Sequence, residues 1–218
     1  MNPNIIQLLV LAGIAIFLVL RLKSVLGSRD GFEKPNLPPQ DSKPSRAEFE
    51  VIDGGPDRDV TDHVPEDSEQ AQNFAAMKRI EPSFSVSQFV QGARGAYELI
   101  VMGFERGDLN DIQPFLAEEV FETFVDVVSA REDQGLKIEA EFIGVRETSV
   151  QDVRFEKDTN LAEVTMRFVG EMTSVVRDKD GEIIEGSPTA VKRQKDTWTF
   201  ARNMGSDDPN WLLVATDA

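Results

Sequence analysis

The 218-residue chain carries 39 acidic against 23 basic residues, for a formal net charge of −16. That balance disfavours nucleic acid, whose affinity comes largely from phosphate neutralisation, and disfavours broad adhesion to anionic lipid. Cysteine is absent, which excludes disulfides, zinc–thiolate centres and cysteine nucleophiles.

The first feature in chain order is Ile5 to Leu20, sixteen residues without a charge. At about 1.5 Å per residue such a helix spans roughly 24 Å, slightly less than a bilayer core. Leu22 extends it, and the stems of Arg21 and Lys23 can reach the interface. We therefore expect a transmembrane anchor over 4–22. The rival reading is a signal peptide, but Met1 to Asn4 lacks the basic residues that such a peptide needs. Arg21, Lys23 and Arg29 follow the span instead. By the positive-inside rule the N-terminus is expected outside and the rest of the chain in the cytoplasm of a bacterial cell.

Residues 23–82 read as an acidic, proline-rich linker. Pro35, Pro38, Pro39, Pro44, Pro56 and Pro65 interrupt every period, and acids are dense from Asp53 to Glu69. Low hydrophobicity with high charge predicts disorder. Two apolar islands stand out: Phe49, Val51 and Ile52, then Phe74, Met77 and Ile80. The second is compatible with a short helix docked on a domain or a partner, and equally with incidental apolar residues in a tail. His63, the sole histidine, lies in this stretch, outside any catalytic setting.

A domain over 83–218 follows. Ser85 and Gln88 have the spacing of a capping box. Phe89, Ala93, Ala96, Tyr97, Ile100 and Phe104 then form one helical face, and Gly107 is the expected stop. Asp108 is expected to cap a short helix that Pro114 ends. A third helix is expected over 117–134, with the stripe Val120, Phe121, Phe124, Val127 and Val128 and the terminator Gly135.

After Gly135 the period changes to two. Ile138, Ala140 and Phe142 alternate with polar residues, and a second run covers 148–155. Ala162, Val164, Met166 and Phe168 open a strand that can continue to Val176. Lys157 to Asn160 and Asp178 to Gly181 read as turns. A return strand is expected over 191–202 and a last one over 211–216. Helices followed by turn-linked strands indicate an α+β fold with an antiparallel sheet.

Certain segments carry a resemblance. They are Asp196-Thr197-Trp198-Thr199-Phe200-Ala201-Arg202 and Asp208-Pro209-Asn210-Trp211-Leu212, with Gly92-Ala93-Arg94, Tyr97-Glu98, Arg131-Glu132 and Ser174 to Asp178 with Gly181. Together with the anchor-and-linker layout they resemble the C-terminal domain family of the 44-kDa subunit of the mitochondrial inner-membrane translocase, and within it the TimA-type proteins of alphaproteobacteria. The resemblance implies a nuclear-transport-factor-two-like cone, a curved antiparallel sheet wrapped by helices around an apolar pocket. It also implies a tethered protein-binding role at the bacterial inner membrane, with a chaperone, a nascent chain or an inner-membrane complex as partner. The resemblance implies that the anchor and the short linker stand in place of the mitochondrial member's long N-terminal region.

Three function classes remain. An enzyme would need an acid–base group in the cavity. The domain has neither histidine nor cysteine, and Asp126 and Asp196 qualify by residue type alone. No glycine-rich phosphate loop or metal-ligand cluster is legible, so no catalytic residue, metal or cofactor is assigned. A carrier of lipid or another apolar ligand would use Phe89, Tyr97, Phe104, Phe142, Phe168, Trp198 and Trp211 as its pocket, although the same residues could simply fill the core. The third class, a membrane-tethered adaptor for proteins, is the expected one.

Overall fold

A computed structural model describes residues 55–217. The expected anchor over 4–22 and the linker as far as residue 54 lie outside the described residues. Among the described residues no helix is long and apolar enough to cross a membrane. The helices are α1 (Arg58–Thr61), α2 (Glu69–Ile80), α3 (Val86–Arg106), α4 (Leu109–Ile112) and α5 (Glu118–Asp133), with a 3-10 turn at Gln113–Phe115. The strands are β1 (Lys137–Glu156), β2 (Leu161–Arg177), β3 (Ile183–Asn203) and β4 (Leu212–Asp217). They form one antiparallel sheet in the order β1-β2-β3-β4, so the α+β reading holds.

Alternation along β2 fixes which face meets the helices. Ala162, Val164, Met166 and Phe168 are fully buried on one face, beneath α3 and beside Trp198 and Phe200 of β3. The intervening residues point to the opposite face, as the period of two requires. Strand β1 is continuous where two separate runs were expected. Its register shifts at Phe142/Gly144, Val145/Glu147 and Val150/Asp152. Each extra residue bends the strand without ending it. The turns form as expected, with Asn160 (φ 58°) and Gly181 (φ 85°) in the left-handed region. Strand β3 starts earlier than residue 191. Pro188 falls where the register jumps from Ser174–Ser187 to Met172–Lys192, a break at which its missing N–H is tolerated.

The folded region also begins earlier than Ser83. Phe74 and Met77 on α2 are fully buried, while Ile80 is 45% exposed. Asn73 Nδ2 donates to the Val153 carbonyl of β1 at 2.7 Å, which locks α2 to the sheet. An island of two buried apolar residues is too short to announce a core in sequence, because its complement lies some 80 residues away on β1.

α1 completes the entry to α3. The first N–H groups of a helix lack intrahelical partners. Asp59 takes those of Val86 (2.8 Å) and Ser87 (2.9 Å), and Ser85 Oγ takes that of Gln88 (3.2 Å). Lys78 Nζ bridges Asp57 and Asp59 at 2.6 and 2.7 Å. Desolvation acts to raise the Asp59 pKa, but the Lys78 contact and the backbone donors outweigh it and hold the carboxyl well below the usual range. A depressed carboxyl stabilises the fold above its unfolded value of about 3.9, and that contribution is lost as pH falls toward the folded value. Asp59→Asn should therefore lose about 1–3 kcal/mol at pH 7 in urea unfolding. The gap to the wild type should narrow progressively as pH falls below about 4. A gap independent of pH would show that the charge is not involved.

Two local expectations are corrected. Asp108 makes no side-chain cap to α4, a single turn held by its neighbours. Val127 is 39% exposed on α5, so the apolar stripe there is narrower than its spacing suggested. Gly107 (φ 78°) and Gly135 (φ 69°) do end α3 and α5.

Candidate functional site

The residue that organises the interior is Tyr97. Its ring stacks on Phe168 with centroids 4.5 Å apart and planes 14° from parallel, and it meets Trp198 at 4.8 Å and Phe142 at 6.2 Å. Its hydroxyl donates to Asp196 Oδ2 at 2.5 Å, and Gln194 Nε2 donates to the other carboxyl oxygen at 3.0 Å. Asp196 is 4% exposed, the one buried acidic or basic residue among those described. Burial first, then the hydrogen bond to Asp196 and its charge, push the Tyr97 pKa far up and keep the hydroxyl a donor. Gly170 makes room for this ring, since a Cβ there would lie 2.8 Å from the Tyr97 oxygen.

The seven aromatic candidates therefore do not surround one cavity. Tyr97, Phe168 and Trp198 are buried and fill the interior, with half-buried Phe142 against them. Phe89 and Trp211 lie toward one end of the domain and Phe104 toward the other. Phe104 packs on Phe124 at 4.6 Å with the Arg131 guanidinium 4.3 Å above its ring. It borders a cleft of about 260 Å³ with Trp198, Asp196 and Glu105. Burial raises the Glu105 pKa, against the opposing charges of Arg131 and Lys192.

The other end holds a larger recess, a groove of about 400 Å³ between the first half of α3 and the β3–β4 loop. Phe84, Phe89, Phe115 and Trp211 make its walls, and Gly92 and Ala96 its floor. Trp211 lies 4.6 Å from Phe89 and 6.0 Å from Phe84, centroid to centroid. A Cβ on Gly92 would meet nothing within 4 Å, so the space above the helix is open there.

The distinctive Arg202 and Asp208-Pro209-Asn210 segment builds one wall. Arg202 Nη2 pairs with Glu81 at 2.8 Å and Arg202 Nε donates to the Asp208 carbonyl at 3.1 Å. Asp208 Oδ1 accepts from the Asn210 backbone and side chain at 2.9 and 2.8 Å. This closed turn delivers Trp211 to the groove half-buried, with part of its ring in solvent.

Phe84 and Phe115 were not singled out from sequence. Phe84 had a legible signal: it precedes the Ser85 cap and packs on Phe89 at 6.4 Å, the arrangement of a hydrophobic staple. Phe115 had none, because its place depends on the Leu116–Leu213 bridge between the 3-10 turn and β4. Asp126 is exposed, and His63 Nε2 shares a hydrogen bond with Ser87 Oγ at 2.9 Å on the surface. Among the described residues no group of acidic and histidine side chains has metal-site geometry.

Comparison with known proteins adds three findings. The family model described as the Tim44-like domain matches residues 70–218. Among solved structures, the chain is similar to the intermembrane space region of chloroplast protein ARC6, at 13% identity, 59% coverage of this chain, 94% coverage of that chain and a TM-score of 0.41. No curated protein matches.

Proposed function

The chain belongs to the Tim44-like domain family, and from that premise we propose that it is a membrane-anchored, non-enzymatic adaptor that binds protein partners through the aromatic groove at the start of α3. One observation carries the reading. The groove offers the half-buried rings of Phe115 and Trp211, backed by the core residues Phe84 and Phe89, beside an open glycine, a receptacle for an apolar side chain of a partner. Glycine inside a helix costs about 0.5–1 kcal/mol relative to alanine, and Gly92 has no intrachain contact that explains it. The helix-then-meander order supports a nuclear-transport-factor-two-like cone. The quoted motifs and the layout support a TimA-type member from an alphaproteobacterium, whose partner would be a chaperone, a nascent chain or an inner-membrane complex. Tethering through Ile5–Leu20 would raise the domain's local concentration at such partners.

A carrier with one large pocket is disfavoured because Tyr97, Phe168 and Trp198 fill the middle of the domain. The two readings separate on the chemistry of what occupies the groove. A photoreactive phenylalanine analogue at Phe115, activated in native membranes, should give peptide adducts. Adducts to acyl lipid alone would favour the carrier, and adducts no more abundant than from exposed Asp126 would contradict a binding groove.

The proposed cytoplasmic placement rests on Arg21, Lys23 and Arg29 after the apolar span. Protease added outside spheroplasts should leave the domain intact until the membrane is lysed. Digestion before lysis would reverse the topology.

A further inference from the structure

The opposite face of the sheet, away from the helices and the groove, holds a concentration of positive charge that the function above does not use. Arg146, Arg167, Arg193 and Lys195 line a shallow basin of about 540 Å³ around Val169, with Glu147 the one acidic member of its lining. Val169 is 4% exposed although it lies outside the main core, and it lines the basin together with these cations. Glu171, beside the basin, accepts from Arg146 Nε and Arg193 Nη2, both at 3.0 Å through the same oxygen. Those two hydrogen bonds, that from Arg193 foremost, lower its pKa and bring both guanidinium groups onto one carboxylate oxygen. Arg167 and Lys195 have no ion-pair partner among the described residues. Four cations against two carboxylates leave this spot locally positive in a chain of formal charge −16.

We propose that this basin binds an acidic, extended peptide segment of a partner protein. Arg193 and Lys195 are two residues apart on β3, so their spacing is close to the roughly 6.6–6.8 Å repeat of alternate side chains in an extended chain. Carboxylates at alternate positions of such a segment meet successive cations, and arginine's planar fork suits a carboxylate. A flat anionic membrane fits less well. Glu141, Asp152 and Glu163 occupy the same face of the sheet, and at physiological salt repulsion acts over about 8 Å. A narrow strand can keep to the basin, whereas a lipid surface meets those carboxylates as well.

The test uses the full chain in zwitterionic detergent and a fluorescent peptide of alternating glutamate and threonine, followed by anisotropy. Binding should be saturable and weaken as salt rises, and the basin charge reversals below should not weaken binding of the matching lysine–threonine peptide. Arg167→Glu combined with Lys195→Glu should weaken it by about tenfold or more, since like charges then oppose each other. The neutral pair Arg167→Gln and Lys195→Gln should give a smaller loss in the same direction, at unchanged thermal midpoint. Gly92→Leu, in the groove, should leave it unaltered, so failure here is distinguishable from failure of the groove reading. Absence of peptide binding, equal binding by both double variants, or a preference for phosphatidylglycerol over phosphatidylcholine vesicles without peptide binding would overturn the proposal.

Discussion

Phe168→Ala should destabilise the domain by about 3–5 kcal/mol, the range for truncating a buried aromatic. Phe168 is fully buried, stacks on Tyr97 at 4.5 Å and meets Trp198 at 5.9 Å and Phe200 at 6.5 Å. Removing it leaves a void bounded by rings from β3 and α3, and the strand backbone cannot collapse into it. Urea unfolding should show a large drop in midpoint with little change in slope. Trp211→Ala should lose less, because Trp211 is only partly buried at the groove, packed against the core from outside it. Equal losses would mean that Trp211 is a core residue and the groove is closed.

Asp196→Ala should also be severe, for a different reason. The change leaves the buried Tyr97 hydroxyl without its acceptor, and the part-buried Gln194 amide loses one as well. The buried hydroxyl left unpartnered costs about 1–3 kcal/mol. Asp196→Asn keeps the shape and one acceptor oxygen and should be milder. This pair separates structure from chemistry. In the adaptor reading, partner adducts fall only as far as the folded fraction falls. A folded, normally localised Asp196→Asn protein that has lost function would point to chemistry at the Tyr97–Asp196 pair.

The parts of the fold legible in sequence are those with local causes. The α3 face, its stop at Gly107, the alternation of β2 and the two tight turns each follow from residues within a few positions. The misplaced features depend on distant partners. α2 is a core helix because β1 supplies the other half of its contacts, and Asp59 matters because α3 offers its N–H groups 27 and 28 residues later. The candidate site was half legible for the same reason. Aromatic content and periodicity identified Phe89, Tyr97, Phe168, Trp198 and Trp211. They could not tell that Tyr97 would plug the interior while Trp211 stayed only partly buried at the groove, since that division is set by Gly170 and by the Arg202–Glu81 clamp.

The central claim is that the domain works by binding in the α3 groove, and Gly92→Leu tests it most directly. A Cβ at Gly92 meets no existing atom within 4 Å and Gly92 is an exposed lining residue of the groove, so the added side chain takes up groove space from outside the core. Replacing glycine by leucine within a helix should gain up to about 0.8 kcal/mol. The measurement is the yield of peptide adducts from the photoreactive group at Phe115, taken beside the thermal midpoint. The expected result is a midpoint equal to or above the parent's with adducts reduced to the level seen from Asp126. Undiminished adducts at that midpoint would contradict the claim.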